Sequence, residues 1–328
     1  MLQKSRKRFI TILSGCAMIA AVGFMPSSPA QAEPSIDDVQ KRVDHLFHEA
    51  EQAQERYNDA KIELRDLQGD LASLRSDQAR QDHAFEDVRD QVQDSIVRQY
   101  EGQSLSNVGQ VVVSDDPTSF LAQLSTMSAY NDLQSQLYDT YATESDALQI
   151  RKHATAKRAA DVAKTEKKLA AEKAVVDDRL AEAKTLLNGL KDKEREEMLS
   201  RGSVRVPSDV PASGRAAAAV KYALAQVGKA YVFGAAGPGA FDCSGLTMRA
   251  WGAAGVGLPH SSSAQYNTGT RVAEGDLQPG DLVFYYSPIS HVGMYIGNGM
   301  IVNAENPGAG VRVTSLHAMP YVGAVRPG

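Results

Sequence analysis

The chain has 328 residues, 43% of them hydrophobic and 23% charged, with a formal net charge of −5 and two cysteines. That length is too great for one small domain and enough for two. Removing the four basic residues near the N-terminus leaves −9, and because residues 215–328 carry +2, residues 33–214 carry −11. So acidic a stretch argues against nucleic acid as a ligand, since that binding depends on neutralising phosphates.

Lys4, Arg6, Lys7 and Arg8 precede an apolar run from Phe9 to Phe24 and a small-residue site, Ala30-Gln31-Ala32. This is the order of a secretory signal over residues 1–32, cleaved before Glu33. About 16 apolar residues fall short of the ~20 of a membrane span. Leu13-Ser14-Gly15-Cys16 also looks like a lipoprotein cleavage box, although the apolar run continues past it. Either reading implies export, to the cell wall or the cell-envelope space.

From Ile36 the apolar positions advance by three and four: Val39, Val43, Leu46, Ala50, Ala53, Tyr57, Ala60, Leu64, Leu67, Leu71 and Leu74, then Phe85, Val88 and Val92. This is a heptad seam, with Gln78 and Gln81 falling on it, and the charges around it read as solvated faces. Gly, Ser, Asn and Pro break the pattern at about 102–118. It resumes to about Ser200 on a looser seam that includes Phe120, Leu124, Met127, Leu148, Val176, Leu180, Ala183 and Leu187. Two long helices joined by a short turn region predict an antiparallel coiled-coil hairpin over 33–200. A parallel dimeric coiled coil is the alternative.

Residues 201–214 lose the heptad and gather Pro, Gly and Ser, as a linker does. Beyond them two helical segments, near Ala216–Val227 and Cys243–Ala254, precede strand-like runs at Leu282–Tyr286, His291–Ile296, Met300–Ala304, Val311–Thr314 and Tyr321–Arg326. The predicted class of residues 215–328 is α+β.

Cys16 lies in the signal, so Cys243 has no disulfide partner in the mature chain and is a candidate nucleophile. It opens a predicted helix, where the dipole and unpaired amides favour a thiolate. His291 is the best-placed base. It begins a strand, and Gly297-Asn298-Gly299 is a hairpin signal that would return Asn303 to its neighbourhood as orienter. Glu305 is a fallback for that third position.

Four segments follow the order and spacing of the NlpC family of secreted, papain-like cell-wall cysteine endopeptidases, which residues 215–328 resemble. They are Ala230-Tyr231-Val232-Phe233-Gly234, Phe241-Asp242-Cys243-Ser244-Gly245-Leu246, Leu277-Gln278-Pro279-Gly280-Asp281-Leu282-Val283-Phe284 and His291-Val292-Gly293-Met294-Tyr295-Ile296-Gly297. The resemblance implies cleavage of peptidoglycan stem peptides, typically between D-glutamate and meso-diaminopimelate, by an acyl-enzyme route without metal or cofactor. It assigns Cys243 as nucleophile, His291 as base and Asn303 to a third position where relatives more often have His or an acid. Tyr231, Asp242, Ser244 and Ser262 become candidate substrate contacts, Asp242 as an acid able to meet a substrate amine. His260 replaces the usual arginine and receives no catalytic role. The front half resembles, more loosely, the coiled coils of Rip-type division hydrolases, which implies control by an FtsEX-type membrane complex. Separately, a long acidic hairpin on a linker of about fourteen residues, which spans roughly 20 Å, can place a helix over the Cys243 cleft. Two other functions fit the same residues. One is an adaptor with an impaired wall-binding domain; the other is a thiol amidase or acyltransferase.

Overall fold

The computed structural model describes residues 35–101, 117–190, 192, 194, 207 and 210–328. The expected signal, nearly all of the break at about 102–118 and most of the 201–214 linker lie outside them. Helix α1 (Ile36–Tyr100) starts with Asp37 and Asp38, which suit the positive end of a helix dipole. Helix α2 (Pro117–Asn188) starts with a proline, whose missing N–H has no helical partner to lose there. The expected continuation of α2 to Ser200 falls mostly outside the described residues.

Ion pairs fix the direction of the two helices. Arg42 meets Glu182 at 2.6 Å, Glu49 meets Arg179 at 2.7 Å, Arg56 meets Glu172 at 3.0 Å and Asp70 meets Arg158 at 3.4 Å. One number rises as the other falls, so the helices form an antiparallel hairpin within one chain, not the parallel dimer. Such exposed pairs contribute roughly 0–1 kcal/mol each. Packing contributes more: Val39, Val43, Leu46 and Phe47 close on Leu180, Ala183 and Leu187. Gln81, a polar interruption of the seam, reaches across to the Glu144 carboxylate. Phe120 and Leu124, expected on the seam of α2, are instead 40% and 49% exposed.

The C-terminal part has the expected α+β class. Helix α3 (Gly214–Leu224) is followed by the short parallel pair β1 (Ala230–Tyr231) and β2 (Ala240–Phe241), then helices α4 (Cys243–Ala253) and α5 (Ser262–Tyr266). Strands β3 (Thr270–Val272), β4 (Leu282–Tyr285), β5 (His291–Gly297), β6 (Met300–Ala304), β7 (Val311–Ser315) and β8 (Tyr321–Arg326) make one sheet in the order β3-β8-β4-β5-β6-β7, each described pairing antiparallel. Alternation along β5 sends Val292, Met294 and Ile296 to the core that holds Leu246 and Trp251 of α4. Val283, Tyr285, Ile301 and Leu316 form a second cluster. Each such buried side chain stabilises the fold by about 1.5–3 kcal/mol. Residues 36–328 make one compact unit, because α1 lies against the C-terminal part.

Candidate active site

Helix α4 begins at Cys243 because Asp242 caps it, with extended backbone and Oδ1 accepting from the Gly245 N–H at 2.6 Å. Asp242 Oδ2 accepts from the Gly234 N–H at 2.9 Å, and His260 Nε2 lies 2.8 and 2.9 Å from the two oxygens. Only glycine fits at 245: a Cβ there would meet Asp242 Oδ1 at 2.7 Å and His260 Nε2 at 3.0 Å. Both oxygens of Asp242 are thus taken up by cap, loop and His260, and neither stands open to a substrate amine. His260, given no catalytic role from sequence, is the ring partner of this carboxylate. Burial works against its charge, but the bond to and charge of Asp242 outweigh that and raise its pKa.

His291 opens β5, and the β5–β6 register of Met294 with Val302 and Tyr295 with Ile301 continues to set Asn303 opposite Gly293. A side chain at 293 would crowd this corner, its Cβ meeting Ile301 Cδ1 at 2.8 Å and Asn303 Cβ at 3.3 Å. Asn303 Nδ2 donates to Thr314 Oγ1 at 2.9 Å, which turns the amide oxygen to His291 Nε2 at 3.0 Å. That assignment puts a proton on Nε2 and leaves Nδ1 to face the cleft. Thr314 was not singled out in the sequence, since its role is to hold the orienter. Glu305, the fallback orienter, pairs with Arg312 instead. The Cys243 thiol is buried, points to the Ser290 carbonyl at 3.9 Å and lies within 4.8 Å of a ring nitrogen of His291.

Three turns of α1 fill the cleft above this pair. His48 packs on Tyr286 with ring centroids 4.0 Å apart. One turn on, Glu51 Oε1 lies 2.6 Å from His291 Nδ1 and 3.5 Å from the Tyr231 hydroxyl. Glu55 follows, with Oε1 accepting from Ser244 Oγ at 2.9 Å and lying 3.9 Å from Cys243 Sγ, while Oε2 accepts from Ser262 Oγ at 2.6 Å and from the Ser262 N–H. Asp59 then accepts from Ser263 Oγ at 2.7 Å and from Ser261 Oγ. Tyr231, Ser244 and Ser262, expected to contact substrate, therefore hold carboxylates of α1. The three acids, Glu51-x-x-x-Glu55-x-x-x-Asp59, share one helix face, but a charged face of a heptad helix does not by itself report a cleft.

This arrangement inverts the electrostatics expected of Cys243. The helix start should favour a thiolate, yet burial first, then Glu55, Glu51 and Asp242, push the thiol well above its ordinary range. Burial disfavours charge on His291 as well, but Glu51 beside it, aided by Asn303, raises its pKa. Glu51 therefore stands beside His291 where a Cys243 thiolate would otherwise pair with it, and the surroundings favour the thiol over the thiolate. Glu55 is pushed up to about 7, by burial and by Asp242, against the lowering effect of its serine donors.

Residues 228–324 match the NlpC/P60 family. A probable endopeptidase of Mycobacterium tuberculosis is 50% identical over 105 residues, 32% of this chain and 27% of that protein. Another, from Corynebacterium glutamicum, is 45% identical over 116 residues, 35% of this chain and 56% of its own length. The chain thus spans less than two thirds of either relative. The crystal structure of the NlpC/p60 domain of the peptidoglycan hydrolase SagA is 33% identical, with a TM-score of 0.32 over 34% of this chain and 97% of that one. The C-terminal part of the chain, at residues 228–324, is an NlpC/P60 domain of the α+β, papain-like class.

Proposed function

We propose that the chain is an exported cysteine endopeptidase that cleaves peptidoglycan stem peptides at the bond between D-glutamate and meso-diaminopimelate, and that α1 holds it inactive. The observation that carries this reading is the seating of Glu51 and Glu55 on His291, Ser244 and Ser262, where substrate would have to lie. Once α1 leaves, Glu51 no longer favours a charged His291, whose Nδ1 gives up its proton to solvent and, now neutral, takes the Cys243 proton. The thiolate attacks the peptide carbonyl, the imidazolium gives its proton to the leaving amine, and a water activated by the same nitrogen hydrolyses the thioester. Export is supported by the signal-like residues 1–32. The hairpin end far from the cleft bears exposed apolar side chains, Tyr100 at 92%, Leu121 at 63% and Leu133 at 65%. They offer a surface for an FtsEX-type regulator that would draw α1 away.

The test is digestion of purified peptidoglycan with the chain from Glu33 onward carrying Glu51→Lys and Glu55→Lys, with products identified by mass spectrometry. Peptides ending at D-glutamate should appear at least a hundredfold faster than with the unmodified chain and vanish on adding Cys243→Ala. A charge-reversed chain whose Cys243 alkylates readily but which releases no peptide would defeat the endopeptidase reading and leave the wall-binding adaptor.

A further inference from the structure

We propose that Glu51, Cys243 and His291 form a Zn²⁺ site that exists only while α1 lies in the cleft, so that zinc locks the domain closed. The proposal rests on the inhibitory seating of α1 and adds a ligand to it. One ligand atom from each of the three residues, a carboxylate oxygen, the thiol sulfur and a ring nitrogen, falls within 4.8 Å of the others, and all three residues are buried. Sulfur, imidazole and carboxylate together are a zinc set, whereas the thiolate disfavours magnesium and calcium. Zinc takes Cys at about 2.3 Å and His and carboxylate at about 2.0–2.2 Å, so tetrahedral ligands stand roughly 3.3–3.6 Å apart. Glu51 and His291, now 2.6 Å apart, would open slightly, and Cys243 would draw in.

The surroundings are those of a metal site. His291 offers Nδ1 because Nε2 is turned to Asn303, itself held by Thr314, the kind of outer hydrogen bonding that orients ligating imidazoles. Charge balances: a carboxylate, an imidazolium and a thiol sum to zero, and so do Zn²⁺, a carboxylate, a thiolate and a neutral imidazole. Binding releases two protons, one from Cys243 Sγ and one from His291 Nδ1, to solvent. A cavity of about 250 Å³ lined by Asp44, Glu51, Tyr231, Glu305 and Arg312 reaches the site at Glu51, and its three carboxylates against one guanidinium favour a cation there. The fourth position falls to water. Next to His291, the buried Ser290 hydroxyl has no hydrogen-bond partner among the described residues.

Two ligands belong to the enzyme and one to its inhibitor. Metal therefore stabilises the closed form by mass action, with closure favoured about a hundredfold at a hundred times the dissociation constant.

The probe is Co²⁺, added to the metal-free chain from Glu33 onward. A thiolate-to-cobalt charge-transfer band should saturate at one equivalent, disappear on adding Zn²⁺ and be absent from Cys243→Ser. Glu51→Gln should weaken binding at least tenfold while Glu51→Asp, which keeps the carboxylate, restores part of it. Both variants are first checked for unchanged helix content. No band at one equivalent, or equal affinity in Glu51→Gln, would overturn the site. Neither result touches the inhibitory reading, which is judged separately from peptide turnover in the presence of a chelator.

Discussion

Two stretches of α1 share a heptad pattern and a similar density of charge, yet they have opposite fates. In the first, Glu51, Gln54, Glu55 and Asn58 are buried, between 3% and 7% exposed, and engage the catalytic cleft. In the second, Glu63, Asp66, Glu86 and Asp87 are exposed, as the flanks of a coiled coil usually are. The difference lies in the partner and not in the helix. Among the described residues, Asp70, Gln81, Asp82 and Ser95 of α1 find their partners on α2, whereas 48–59 meet α2 on one side and the NlpC/P60 domain on the other. A buried carboxylate is tolerated only where donors receive it, and Ser244, Ser261, Ser262 and Ser263 supply them.

The comparison breaks first at the chemistry. With Glu51→Lys and Glu55→Lys opening the cleft, Cys243→Ala should remove all peptide cleavage and His291→Ala nearly all, by at least a thousandfold. Unchanged turnover in either folded variant would move the nucleophile or base elsewhere. Next comes the contrast within α1. Glu55→Ala should raise the rate of Cys243 alkylation by iodoacetamide about tenfold, while Glu63→Ala changes it less than twofold. Equal effects would mean that the two stretches do not differ as described. Asn303→Ala in the opened chain should cost roughly tenfold in kcat, since it removes the orienter and leaves both reacting groups. Recovery with Asn303→His would support an orienting role.

A smaller effect comes from pH. Seating raises the pKa of Glu55 from its ordinary 4.5 to about 7, so the seated helix holds a proton that a released one gives up. The stabilisation is fully present below about 4.5 and is lost as pH rises through about 7. His291, also raised, acts in the same direction. The groups facing Glu55 are Asn58 of its own helix and Tyr231, Asp242, Cys243, Ser244, His260 and Ser262 of the domain. With a chelator present, alkylation relative to the opened chain should rise at least threefold between pH 5 and 8. Glu55→Gln should flatten that rise, and an unchanged slope would shift the dependence to His291. A smaller effect still belongs to Asp59→Ala, about twofold on alkylation, because Asp59 bonds Ser261 and Ser263 and neither Cys243 nor His291.

Much of the catalytic half was legible. Cys243 at a helix start, His291 opening a strand and Asn303 across a Gly-Asn-Gly hairpin are local signals, and β4 to β8 fall within a residue of the expected runs. The two-residue strands β1 and β2 and the five-residue α5 were not, since pairing and capping define them more than periodicity does. Glu51 and Glu55 were illegible for a different reason. A heptad reports the partner helix, and their burial depends on residues 180 or more positions away. The run Ala50, Ala53, Ala60, small where later seam positions are leucine, was the nearest hint.

The distance along the chain between Glu55 and Ser244 also sets an order in time. Synthesis runs from the N-terminus and domains fold as units as they emerge. Helix α1 therefore leaves the ribosome well before α4 and the strand that carries His291. The carboxylates that Ser244 and Ser262 bind are thus already made when the domain folds, and on the proposed reading the cleft forms occupied. On the proposed reading control is reversible, with each return of the helix restoring the occupied cleft.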